Sequence, residues 1–185
     1  MRTFGISIVL ALFAAVVVMA ERPAATPAIA PAASAPQQAP PAQAVAAMRI
    51  FSSAADVQAL LAKAKSERKE GQVMVAEPIL SLAPYVTNLE YRPVEGAVAV
   101  HEKEAELVYV IDGGGTLTTG GSVMGEKRTN ATNLSGTAID GGTIQTIAKG
   151  DFTIIPEGTP HQFKPAGGPL VLMTMHVPRP VVSAQ

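Results

Sequence analysis

The 185-residue chain has no cysteine and no tryptophan, and aromatic residues make up only 4% of it. The absence of cysteine excludes a disulfide framework and a lipid-modified cysteine, so packing must supply the stability of any folded part. A large excess of one charge is also lacking, because 14 Lys and Arg residues stand against 15 Asp and Glu residues. This balance provides no basic surface for nucleic acid, and no nucleic-acid partner is expected.

The first twenty residues have the parts of a secretory signal peptide. Arg2 is followed by an apolar run of about fifteen residues that ends in small or medium side chains up to Ala20. We therefore predict a signal peptide over residues 1–20, cleavage after Ala20, and a periplasmic or secreted location. The alternative is an uncleaved membrane anchor, which needs closer to about twenty apolar residues. Only that alternative would bring the chain to a membrane.

Residues 21–47 are dominated by Pro and Ala, with Gln and Ser between them. This composition offers almost no large apolar groups to offset the entropy of ordering the backbone, and it predicts a disordered linker.

The segment 48–71 carries the pattern of one amphipathic helix. Ser52 and Ser53 provide an N-cap, and Gly71 provides an end signal. Apolar residues follow at three- and four-residue spacing, namely Val57, Leu60, Leu61 and Ala64. The charged residues between Lys63 and Glu70 are interpreted as the solvated face.

Residues 72–185 are predicted to form an all-β domain. Short β-branched and apolar runs alternate there with Gly, Pro and Asn, as in a sandwich or barrel. The segment from Gly120 to Gly142 has few large apolar residues and is expected to be an irregular surface excursion near one mouth of the barrel. The residues predicted to be mostly core are Tyr91, Val108, Tyr109, Val110, Phe152, Ile154, Phe163 and Met173.

Two of the three histidines lie at the ends of strand-like runs. Alternation along GAVAVH puts Ala99 and His101 on one face of a strand, and a turn allows Glu106 of the next strand to share that interior face. In GDFTIIPEGTPHQF, a strand ends at Pro156 and His161 opens the following strand. The third histidine, His176, lies near the end of a terminal strand, and a structural role at the rim is favoured over a place in the cavity.

These two segments resemble the two motifs of the cupin superfamily. In the first motif, six residues separate Glu106 from Gly113, and His101 takes the position of the second histidine. In the second motif, Gly150, Pro156, Gly158 and His161 all fall in register, whereas Pro165 replaces the usual asparagine. Ala99 stands at the position of the first histidine, and Gly96 is too close to it for the glycine of that motif. The resemblance covers about residues 85–178.

The resemblance implies a double-stranded β-helix, or jelly-roll barrel, and a divalent-metal site made of His101, Glu106 and His161. Cupin sites often hold iron, manganese, zinc or nickel. We expect an exported metal-dependent enzyme, of dioxygenase or isomerase type, that acts on a small organic molecule. The alternatives are a metal-free module that binds a small molecule or sugar, which Ala99 favours, and a structural or storage role. A homodimer is expected because it is common among cupins.

Overall fold

The computed structural model describes residues 48–179, so the predicted signal peptide and linker lie outside the described residues. Its elements are one helix and thirteen strands. In chain order they are α1 (Ala54–Glu67), β1 (Val75–Leu82), β2 (Tyr85–Arg92), β3 (Val98–His101), β4 (Glu104–Asp112), β5 (Gly114–Thr119), β6 (Ser122–Met124), β7 (Lys127–Arg128), β8 (Asn133–Gly136), β9 (Ala138–Asp140), β10 (Thr143–Ala148), β11 (Phe152–Ile155), β12 (His161–Pro165) and β13 (Leu170–Pro178).

Eleven of the strands form two antiparallel sheets. The five-stranded sheet has the order β1-β2-β13-β4-β11, and the six-stranded sheet has the order β10-β5-β12-β3-β8-β7. Consecutive strands along the chain often belong to different sheets, as when β3 in one sheet is followed by β4 in the other. This strand order is that of a double-stranded β-helix, and helix α1 precedes it in the chain. The predicted fold class is therefore confirmed.

The core of the barrel lies between the two sheets. Strand β4 shows the alternation that builds it, because Val108 and Val110 are buried on the same face as Glu106. The buried apolar residues of this core are Val108, Val110, Leu117, Ile147, Ile155, Phe163, Leu170 and Leu172. Glu106 is therefore the polar end of an otherwise apolar interior row.

Helix α1 makes a second core with the outer face of the five-stranded sheet. Leu61 and Ala64 of the helix are buried there together with Val75, Ile79, Leu89 and Val171. The helix begins in a capping box in which Ser53 Oγ accepts from the Asp56 amide and Asp56 accepts from the Ser53 amide. It ends at Glu67, so the predicted end signal at Gly71 instead lies in the turn that follows. No helix among residues 48–179 is long and apolar enough to cross a membrane.

The expectation of an irregular stretch between Gly120 and Gly142 is wrong. Four short strands lie there: β7 and β8 extend the six-stranded sheet, and β6 pairs with β9 as a separate two-stranded sheet. Small residues permit the close packing that this requires, since a Cβ at Gly136 would lie 2.2 Å from Cγ1 of Val123. The stretch reaches the mouth of the barrel, because β8 pairs with β3 at Asn133 and His101.

Two of the predicted core residues are also placed differently. Phe152 and Ile154 are 70% and 63% exposed, respectively. Both lie on β11, which is the edge strand of the five-stranded sheet, and they share the face that points away from the barrel interior. Phe163, Val108 and Val110 are buried as predicted.

Candidate metal centre

The mouth of the barrel brings together side chains from four strands. His101 ends β3 and His161 begins β12, two neighbouring strands of the six-stranded sheet. Glu106 is on β4 in the opposite sheet. Because His161 pairs directly with Ala99, and Ala99 and His101 alternate onto one face, both histidines point toward the interior. The two sheets thus converge at this mouth.

Of the three residues predicted from the motifs, the two histidines lie beside the carboxylate of the third, Glu106. Nε2 of His161 lies 2.9 Å from Oε2 of Glu106, and Nε2 of His101 lies 3.7 Å from the same oxygen. The rings of His101 and His161 have centroids 5.3 Å apart. The structure therefore gathers His101, Glu106 and His161 at one place, and their binding of a metal stays a prediction.

The same cluster includes His176, for which the sequence favours a structural role at the rim. His176 is the cross-strand partner of Glu106 on β13, and its Nε2 lies 3.9 Å from Glu106 Oε1. Its ring centroid is 4.2 Å from that of His101. The ligand atoms of His101, Glu106 and His176 all lie within 4.8 Å of one another, a separation at which they could share a metal ion.

Each histidine in the cluster has an oxygen acceptor at Nδ1. The Asn133 amide oxygen is 3.1 Å from Nδ1 of His101, and the Thr159 carbonyl is 3.1 Å from Nδ1 of His161. A Glu104 carboxylate oxygen is 3.2 Å from Nδ1 of His176. Since these oxygens only accept, they select the tautomer with hydrogen on Nδ1, which leaves the lone pair on Nε2. All three lone pairs then face Glu106.

Glu106 is deeply buried and incompletely paired. With the histidine protons on Nδ1, no donor is directed at Oε2, and this buried oxygen has no hydrogen-bond partner within the described residues. Leaving a buried charged oxygen without a partner costs free energy, which a bound cation would recover.

Burial and neighbouring groups act in opposite directions on the pKa of Glu106. Burial raises it, but the bond that His161 donates when its ring is protonated, and the charges of the three histidines in their protonated forms, lower it by more. The pKa of Glu106 is therefore below its ordinary value, and the group is ionised at neutral pH. A buried anion thus lies at the centre of the cluster.

The pKa of His101 is also lowered. Burial is the main cause and the neighbouring His176 adds to it, whereas the bond to Asn133 and the charge of Glu106 offset only part of the change. His101 is consequently neutral at neutral pH, as a metal-binding imidazole must be.

Exposure is graded across the cluster. The side chains of His161 and Glu106 are each 4% exposed, that of His101 is 16% exposed, and that of His176 is 39% exposed. Solvent and small solutes therefore reach the cluster from the side of His176. Imidazole and carboxylate donors together fit iron, manganese, nickel or zinc, so the residues present suit the expected class of ion.

The comparisons with known proteins concern the fold. No protein-family model matches the chain, and no curated protein matches it. It is similar to a double-stranded β-helix protein from Klebsiella pneumoniae, with 18% identity over 60% of this chain and 82% of that chain and a TM-score of 0.43. It is also similar to KdgF from Halomonas sp., with 12% identity over 61% of this chain and 87% of that chain and a TM-score of 0.44. A third similar structure is that of HppE with Fe(II) and substrate, with 14% identity and a TM-score of 0.43. The match covers 59% of this chain and 52% of HppE, so this chain spans about half the length of HppE.

At this degree of likeness, the assignment to the double-stranded β-helix depends on the strand order of this chain. That strand order agrees with the resemblance to cupins, which depends on the spacing of the two motifs.

Proposed function

We propose that this chain is an exported cupin-type protein whose barrel mouth binds a divalent metal ion through His101, Glu106 and His161. One observation carries the proposal. The Nδ1 atoms are held by oxygens outside the cluster, so that the Nε2 lone pairs point at a buried carboxylate oxygen that lacks a partner. Metal-binding histidines are oriented in this manner in many proteins.

The chemistry follows from the donor set and from access to the mouth. A bound ion would act as a Lewis acid on a carbonyl or hydroxyl group of a small organic molecule or, if it is iron, would permit reaction with dioxygen. Glu106 and His161 form the buried floor, next to Ile155, which is the cross-strand partner of Glu106 and is 2% exposed. His101 and His176 line the accessible side, where a small substrate of an oxygenase or isomerase type of reaction would enter.

The proposal also includes export of the protein and association of two copies of it. We infer that cleavage after Ala20 releases a periplasmic or secreted protein and that the barrel forms a homodimer, as is common in the superfamily that it resembles.

A second candidate function is the binding of a small molecule or sugar at the same mouth without a metal. Ala99 favours it, because alanine stands where cupins have their first histidine, and this removes one donor from the six-stranded sheet. The histidines would then act as hydrogen-bond donors and acceptors to the ligand.

Metal analysis separates the two functions. The untagged protein, produced by export and purified without chelators, should contain about one equivalent of iron, manganese, nickel or zinc. The double variant His101→Ala with His161→Ala should contain none. Lys164→Ala is a matched control, since Lys164 is an exposed residue of β12 that pairs with Glu95 and not with the cluster. A parent protein that is metal-free and takes up no added ion would contradict the metal proposal and favour the second function.

A further inference from the structure

We propose that His176 is a further ligand of this ion and that it supplies, from the C-terminal strand, the imidazole that Ala99 does not provide. This inference rests on the proposed metal site. It adds a residue that the two motifs do not contain, because His176 lies beyond the second motif on β13.

The register of β13 places His176 where a ligand is needed. His176 and Glu106 are direct cross-strand partners, so their side chains leave the five-stranded sheet side by side on its interior face. Thr174, two residues earlier on the same face, is almost fully buried inside the barrel. The direction of His176 is thus set by the strand pairing. Each sheet then contributes two donors: His101 and His161 from one, and Glu106 and His176 from the other.

Glu104 gives His176 the orientation of a ligand. The Glu104 carboxylate lies 3.2 Å from Nδ1 of His176, and it projects from β4 two residues before Glu106, diagonally across from His176. A carboxylate that accepts the Nδ1 proton fixes the tautomer and makes Nε2 more basic. Glu104 therefore acts as a positioning residue for His176.

The distances agree with a shared ion. Nε2 of His176 is 3.9 Å from Glu106 Oε1, and the His176 ring is closer to the ring of His101 than the His161 ring is, at 4.2 Å against 5.3 Å between centroids. A histidine that served only to bind substrate or transfer protons would not need to lie within the ligand shell. This alternative predicts that the ion binds equally well without His176.

The test counts ligand nitrogens and measures affinity in two variants. Cu(II) is loaded as the probe into the parent protein, His176→Ala and Glu104→Gln, and pulsed electron paramagnetic resonance reports the number of bound imidazoles. Competition with a chromophoric chelator gives the Zn(II) affinity of the same proteins. Met175→Ala is the control, because Met175 lies on the same strand and points to the outer face, where it lines a separate cavity with Tyr85 and Thr87.

We expect three imidazoles in the parent and two in His176→Ala, with a loss of Zn(II) affinity greater than about 100-fold. Glu104→Gln should keep three imidazoles and lose about 10- to 100-fold in affinity, the usual effect of removing a partner of a ligating histidine. His176 is partly exposed, so its replacement should leave the fold intact, which a thermal unfolding curve of the metal-free proteins checks.

The two proposals fail in different ways. A parent that binds metal with only two imidazoles, or a His176→Ala variant with the affinity of the parent, would overturn the role of His176 and leave the site of His101, Glu106 and His161 in place. A parent that binds neither Cu(II) nor Zn(II) would overturn both.

Discussion

Replacing Asn133 tests whether the metal site depends on the residues that orient its ligands. The Asn133 amide oxygen lies 3.1 Å from Nδ1 of His101 and is the partner that the structure gives to that nitrogen. Asn133→Ala removes the acceptor, so the His101 ring can rotate and can place its proton on Nε2. Loss of such a partner weakens metal binding about 10- to 100-fold, or about 1.4 to 2.8 kcal/mol.

The assay is a Zn(II) competition titration of the parent, Asn133→Ala and Asn133→Asp. Asn133→Asp keeps an oxygen acceptor and should retain affinity within about tenfold of the parent. Ser135→Ala is the matched control, since Ser135 lies on the same strand and its hydroxyl donates to the Val98 carbonyl. In the metal-free protein, Asn133→Ala should also lower the pKa of His101 further, because the bond that His101 donates to Asn133 raises it. Unchanged affinity and an unchanged His101 titration in Asn133→Ala would show that Asn133 does not orient His101.

Three further predictions concern stability and processing. Phe163→Ala should destabilise the protein by about 3–5 kcal/mol in urea denaturation because Phe163 is 2% exposed, whereas Ile144→Ala, at 69% exposed, should change stability by less than about 0.5 kcal/mol. The metal-free protein should lose stability as pH falls below about 6.5, because the folded state keeps His101 neutral while the unfolded state protonates it; a urea midpoint that is constant between pH 7.5 and 5.5 would contradict this. N-terminal sequencing of the exported protein should begin at Glu21, and a retained Met1 would contradict cleavage.

The sequence was sufficient for the fold because turns and alternation are local signals. The spacing of Glu106, Gly113, Pro156 and His161 encodes where two pairs of strands begin and end, and the structure has strands at those places. Ser53 and Asp56 similarly mark the start of the helix within a single turn of chain. Signals of this kind do not depend on which strands pair.

The parts that the sequence did not predict depend on pairing between distant strands. His176 belongs to the cluster because β13 aligns it with Glu106, 70 positions earlier in the chain, and no local pattern contains that register. Phe152 and Ile154 are apolar like core residues, but they lie on an edge strand and face outward. Between Gly120 and Gly142, the strands are only two to four residues long and mostly polar. Strands this short show too little alternation of apolar and polar residues to be recognised in the sequence.

The most direct test of the metal centre is anomalous X-ray diffraction from crystals of the untagged protein, recorded above and below the absorption edge of the ion found by metal analysis. We predict one strong anomalous peak within bonding distance of His101, Glu106, His161 and His176, and its absence in crystals of the His101→Ala, His161→Ala double variant. A metal-loaded crystal with no peak at this mouth, or with its peak among other residues, would contradict a metal centre at the barrel mouth.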